Sequence, residues 1–355
     1  MSQGWRFFLV FSVSLAGALS AGLMTRADEQ LQQSPVSTTT LAADSPAAIV
    51  PVAIVPVAIV PAEKHKLAFK FRPGQIVHQE ISSESEMTTH KNQDTETARN
   101  SSTSRRHYRV LAVDDKTGIA DLALTIDWVR MRAAIDNGEG PKVEPTEFQS
   151  DDPKKHPKQF NQVLASIGQP ARLRFRSNGA LVKAPDAKNP AASPATAGST
   201  QSATAQSATD ALEAYLFPLP EQPVAVGETW KERFDVHLRD VDKNLVKISL
   251  QRAYKLTDVK NERAVIELRT AILTPVQDPA IAAQLIQREI NGKIVFDIAQ
   301  GLIISREWTV ENTIVNPVGA NSSMHAKSSY REKLLGSEAV ADRAASIPKA
   351  ANSSK

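Results

Sequence analysis

Between residues 65 and 335, apolar and polar side chains alternate with a period of two over many short stretches, the mark of strands with one buried face. Arg106-His107-Tyr108-Arg109-Val110 through Leu122 to Ile126 aligns without gaps with Arg252-Ala253-Tyr254-Lys255-Leu256 through Leu268 to Ile272, an offset of 146 (252 less 106). Each copy reads as a strand, a polar turn and a strand. The turns are Asp114-Asp115-Lys116-Thr117-Gly118 and Lys260-Asn261-Glu262-Arg263. A glycine introduces a further strand ahead of each copy, at Pro73-Gly74-Gln75-Ile76-Val77 and at Val226-Gly227-Glu228-Thr229-Trp230.

Behind each copy the period changes to that of a helix. Phe160, Val163, Leu164 and Ile167 fall on one helical face between Pro157 and Gly168. Ile281, Leu285 and Ile286 follow Asp278-Pro279, and Gly292 reads as the stop. Hairpins come next, Leu173 to Val182 turning at Ser177-Asn178-Gly179, and Lys293 to Trp308 turning at Ala299-Gln300-Gly301. A further short helix, capped by Asp210 with Glu213 three residues on, precedes the second copy. The shared order predicts a duplicated α+β fold, mostly β. Its expected form is a curved antiparallel sheet, half-barrel-like, built from two pseudo-repeats that each carry one packed helix.

Stretches without this pattern divide the chain. Arg6 precedes an uncharged run from Phe7 to Met24 with small-x-small cleavage sites at Ala16-Gly17-Ala18 within it and at Thr25-Arg26-Ala27 after it, so residues 1–27 read as a signal peptide or, uncleaved, an anchor. Either way the remainder is expected outside the cytoplasm, periplasmic or extracellular, and touches a membrane only if that segment is retained. Residues 28–64 read as an extended tether in which Val-Ala-Ile-Val-Pro repeats at 52–56 and 57–61, because proline at every fifth position forbids a helix. Residues 65–183 form the first β-rich repeat and 209–335 the second. The intervening tract 184–208 and the tail 336–355 are too poor in apolar residues to offset the entropy of ordering and are expected to be disordered.

Composition narrows the chemistry. Lys plus Arg number 42 against 39 Asp plus Glu, which leaves no basic footprint for nucleic acid. There is no Cys, so disulfides, thiol nucleophiles and thiolate metal sites are excluded. The chain contains no Gly-x-Ser-x-Gly elbow, phosphate-binding Gly-Lys loop, dinucleotide glycine turn or His-Glu-x-x-His pair. We therefore expect no catalytic residues, no cofactor and no resident metal. Among the seven scattered histidines, the one conceivable constellation is His78 with His107 and Asp121 from separate strands.

The candidate ligand contacts are few. Arg172, Arg174 and Arg176 alternate with Leu173 and Phe175, so three guanidinium groups share one strand face and could receive an anionic headgroup or an acidic polysaccharide. Trp128 and Trp230 lie on predicted strands, as do Trp308, Tyr108 and Tyr254, and could form a stacking surface or pack in a core.

The segment Phe217-Pro218-Leu219-Pro220-Glu221-Gln222-Pro223-Val224-Ala225-Val226-Gly227-Glu228-Thr229-Trp230 resembles a signature of an exported bacterial family of unknown function. Its members begin with a Leu-x-Phe-x-Phe-x-x-Gly-Gln strand, matched by Leu67 to Gln75, and a Thr/Ser/Glu-rich strand such as Ile81 to Thr89. The order of strand, helix and Gly-turn hairpin is more distantly similar to the half-barrel of periplasmic lipoprotein carriers and related lipid-binding envelope proteins. That likeness implies a concave apolar face able to hold an acyl chain and brings no catalytic residue with it. The reading is a non-enzymatic binding module for an apolar or amphipathic ligand, with a lipid or envelope component as the partner. A scaffold or adhesion module without a small ligand is the first alternative. A hydrolase assembled from distant strands is the second.

Overall fold

The computed structural model describes residues 63–138, 143–182, 216–240 and 242–336. The signal segment, all but the end of the tether, the 184–208 tract, the Asp210 helix and the tail beyond Gly336 lie outside the described residues. The first half contains β1 (Lys64–His65), β2 (Ile76–Lys91), β3 (Asp94–Val113), β4 (Ala120–Asp136), β5 (Thr146–Gln149), α1 (Asn161–Ser166) and β6 (Ala171–Phe175). The second contains β7 (Val224–Ala225), β8 (Thr229–Arg239), β9 (Leu245–Lys260), β10 (Arg263–Ile272), α2 (Pro279–Leu285), β11 (Asn291–Asp297), β12 (Leu302–Val315) and β13 (Ser322–Leu334).

One antiparallel sheet of 11 strands runs β5-β4-β3-β2-β13-β12-β11-β10-β9-β8, with β6 lying along the other part of β4. It curves without closing, since β5 and β8 remain at its ends. β1 and β7 form a separate two-stranded ribbon. The two halves meet where β13 pairs with β2 over its full length, from Ser322 opposite Lys91 to Leu334 opposite Gln79.

Both halves make the same contacts at corresponding places. Gly74 and Gly227 take positive φ, and their N–H groups donate to Val110 and Leu256 carbonyls at 2.9 and 2.7 Å. Tyr108 faces Leu124 as Tyr254 faces Leu268, and Ala120 faces Phe175 as Ala264 faces Phe296. The first strands keep the offset of 146 (254 less 108), whereas the second strands correspond at 144 (268 less 124). The ungapped alignment is thus displaced by two residues beyond the turn. A shift of two leaves every side chain on its original face, so the error was invisible to an alternation pattern.

Two other expectations are corrected. Leu67 to Gln75 was read as a strand, but residues 66 to 75 carry no ladder, because the main chain bonds to two different turns instead. Phe69 N–H donates to Ser177 O at 2.7 Å and Lys70 N–H to Gly301 O at 3.3 Å, so this segment clips the hairpin turn of each half. Gly292 does not stop the helix; it lies in β11 opposite Trp308. α2 ends at Leu285 and gives way to a 3-10 turn at Ile286–Arg288, while Asp278 accepts from Ala280 N–H at its start.

A single large core joins the halves. Leu67, Phe69, Tyr108, Leu122 and Phe175 from the first half pack in one cluster with Phe217, Tyr254, Ile266, Ile294 and Phe296 from the second. Phe69 meets Phe296 edge-on with ring centroids 5.4 Å apart. Each helix covers a smaller cluster on the same, inner side of the sheet. Ile281 and Leu285 of α2 sit on Val236, Ile248 and Leu250, and Val163 and Leu164 of α1 sit on Val129, Met131 and Phe148.

Candidate functional site

Beyond the shared core, β2, β3, β4, β12 and β13 continue as a trough. Register gives its inner rows. Met131, Ser102, Ser83, Tyr330 and Trp308 form one, Ala133, Asn100, Ser85, Ser328 and Val310 the next, and Ile135, Ala98, Met87, Ala326 and Asn312 the third. No side chain in these rows carries a charge. The outward residues of the same strands include Glu84, Glu86, Arg99, Arg130, Arg132, Lys327, Arg331, Glu307 and Glu311. Ion pairs cross that outer face, such as Arg99 to Glu86 at 2.7 Å and Lys333 to Glu80 at 2.8 Å.

The inner surface is polar without being ionic. Ser83 and Ser102 hydroxyls lie 3.0 Å apart, and Asn100 donates weakly to Ser85 Oγ at 3.5 Å. The buried Asn100 Oδ1 has no donor among the described residues. Glu96, at the far rim, has its carboxyl pushed above the ordinary glutamate range by burial. Trp308 and Tyr330 stack face to face with centroids 3.7 Å apart and planes within 4°. Gly292 makes room beside them, since a Cβ there would sit 2.7 Å from Trp308 Cβ and 2.2 Å from Glu307 O.

Where the trough meets the core, five polar side chains form a buried network. Glu332 Oε2 accepts from Arg306 at 2.6 Å, from Tyr330 Oη at 2.7 Å and from Arg106 at 3.1 Å; Oε1 accepts from Gln79 at 2.8 Å. Arg106 Nε also donates to Gln79 Oε1. Burial alone would raise the Glu332 carboxyl, but Arg306 and Arg106 outweigh it and hold it below the ordinary range. Burial, then the Glu332 charge, pushes the Tyr330 hydroxyl up to about 12. Glu332 is therefore a carboxylate between two guanidinium groups, with Tyr330 as a neutral donor, and the network fixes the positions of four strands, β2, β3, β12 and β13, against one another.

The structure does not gather the predicted contact residues. Arg172 and Arg174 project outward from β6, Arg174 lying 3.9 Å from Asp121, and Arg176 begins the turn after the strand. Trp128 is on the outer face, its indole N–H donating to Asp151 at 2.9 Å. Trp230 belongs to the core margin, stacked on Tyr254 and donating to Pro218 O at 2.8 Å. Depressions of about 280 and 420 Å³ open on the outer side, the first around Ser82, Ser101 and Thr103, the second at the β3–β4 turn beside Arg174.

Sequence reasoning passed over Gln79, Arg106 and Glu332. Each occupies an inward position, Gln79 between Val77 and Ile81 and Glu332 between Tyr330 and Leu334, so a polar residue in the apolar phase of a strand was the available signal.

Residues 177–303 match a family model described as a family of unknown function (DUF6263). A comparison with curated proteins returns no match. Among solved structures, one described as lipid-protein interactions in lipovitellin is similar at a TM-score of 0.37 and 13% identity. The alignment covers 75% of this chain and 26% of that one, and at this score the likeness carries no argument.

Proposed function

We propose that the chain is an exported, non-enzymatic envelope protein whose inner sheet face holds an apolar or amphipathic, lipid-like ligand. One observation carries this reading: across three consecutive inner rows of the same five strands no side chain is charged, while their outer face carries many charges, and the inward charges lie only at the two ends of those rows, in the Glu332 network and at Glu96. A water-facing sheet has no need of that asymmetry, whereas an uncharged channel of Ser, Ala, Met, Ile and Val suits a chain with methylene segments and a few polar groups. The flexible Met87 can repack around such a chain, and Asn100 Oδ1 offers an acceptor to its polar part. No charged substrate group would be favoured there.

A second reading, a scaffold without a small ligand, is favoured by the filled core. Phe69, Phe217 and Phe296 pack against one another at the base, and α2 covers part of the inner face. One experiment separates the readings. The purified protein is extracted with organic solvent and the extract analysed by mass spectrometry, beside a Ser83→Arg/Met87→Glu variant. A lipid recovered from the wild type and absent from the variant supports the ligand reading. An extract without lipid, or equal recovery from both, leaves the scaffold.

A further inference from the structure

The outer face carries a cluster that the function above does not use. His78 on β2 and His107 on β3 are direct cross-strand partners, with ring centroids 5.2 Å apart. Asp127 reaches them from β4. His107 Nδ1 lies 2.8 and 2.9 Å from its two carboxylate oxygens. The reason is a β-bulge. Arg105 pairs with Trp128 and Arg106 with Ile126, so Asp127 is the extra residue, pushed to the outer face beside His107. Asp121, the carboxylate that sequence spacing suggested, lies farther along β4 opposite Arg174.

We propose that His78, His107 and Asp127 form a binding site for a divalent first-row transition-metal ion such as Zn²⁺. One donor atom from each residue lies within 4.8 Å of the others. Ligands of one zinc ion, bonded at about 2.0 to 2.1 Å, lie at most about 4.2 Å apart, so small side-chain rotations complete the geometry. Two imidazole nitrogens and one carboxylate oxygen are donors that favour Zn²⁺, Ni²⁺ or Cu²⁺ over Ca²⁺ or Mg²⁺. Arg105, next to His107 on the same face, is held by Glu80 Oε2 at 2.9 Å, and Glu80 also binds Lys333. Three protein ligands on a surface leave further coordination positions to water or to a group from another molecule.

The test uses untagged full-length protein, free of any polyhistidine segment, titrated with ZnCl₂ by calorimetry and with CoCl₂ by visible absorption. The wild type is expected to take up one equivalent of Zn²⁺ and to show a Co²⁺ ligand-field band. His78→Ala, His107→Gln and Asp127→Asn should each weaken Zn²⁺ binding by about tenfold or more and remove the band. Asp127→Asn changes one atom of an exposed side chain, so its folded state is secure and it decides the matter if a histidine variant unfolds. ZnCl₂ should also raise the melting temperature of the wild type, whereas CaCl₂ and MgCl₂ should not. Unchanged affinity in Asp127→Asn, no Zn²⁺ uptake by the wild type, or an equal response to Ca²⁺ would overturn the assignment.

Discussion

Glu332 occupies a position where β13 calls for an apolar residue, and its 1% exposure means that the carboxylate depends wholly on Arg306, Arg106, Tyr330 and Gln79. Replacing it with Gln leaves two guanidinium groups buried without a counter-charge. Glu332→Gln is therefore expected to lose about 3 to 5 kcal/mol in urea unfolding at neutral pH. The pH dependence follows from the sign of the shift. A carboxyl whose folded-state pKa lies below its unfolded value near 4.5 contributes fully above pH 4.5, and that contribution is lost as pH falls towards the folded value. Glu80, Asp114 and Asp235 are depressed as well, by ion pairs or turn hydrogen bonds, but they act equally in both proteins. The stability gap between wild type and Glu332→Gln should then be constant above pH 4.5 and narrow below it. A gap that does not change with pH would mean that Glu332 is not ionised in the fold. At this scale the sequence was only partly legible. His78 and His107 could be named as partners on separate strands, but Asp127 could not, because a bulge re-aims one residue without leaving any trace in alternation. Arg172 and Arg174 share one strand face as expected, Arg176 falls beyond the strand's end, and nothing local says which face of a strand becomes the outside of a curved sheet.

Hairpins were the most legible elements, since Ser177-Asn178-Gly179 and Ala299-Gln300-Gly301 carry their turn chemistry in the residues themselves. The segment from Leu67 to Phe71 was not, because its alternation matches a strand while its hydrogen bonds go to those two turns. Glycines separate local strain from this clip. Gly118 and Gly301 have the same φ of +66°, but a Cβ on Gly118 would meet nothing within 4 Å, whereas one on Gly301 would lie 2.3 Å from Lys70 N. Gly118→Ala should cost about 1 to 2 kcal/mol, the penalty of left-handed backbone alone. Gly301→Ala adds displacement of the clip, a further loss of about 1 to 3 kcal/mol on the scale of overpacking. Denaturant midpoints of the two variants measure the difference. Equal losses would show that the contact between residues 67–71 and the second hairpin contributes nothing.

At the scale of the molecule, the two halves share their interior. Strand pairing between β13 and β2 links residues more than two hundred positions apart, a partnership that no repeat pattern reveals, since each repeat read alone looks able to fold alone. Three features argue against that independence: the continuous β13–β2 ladder, the core cluster drawn from both halves, and the clip from Phe69 and Lys70 to the two hairpins. Phe69 tests them together, because its ring contacts Phe71 from its own half and Phe217 and Phe296 from the other. Phe69→Ala removes a ring that is 3% exposed and is expected to lower stability by about 3 to 5 kcal/mol, as for other buried aromatic truncations. Its distribution is the more telling quantity. If the halves form one cooperative unit, hydrogen exchange at the β3–β4 ladder and at the β10–β11 ladder should accelerate by the same factor, and calorimetry should show one transition in both proteins. If each half were its own domain, the ring would belong to one of them. Exchange would then quicken on one side only, and a second transition would separate from the first.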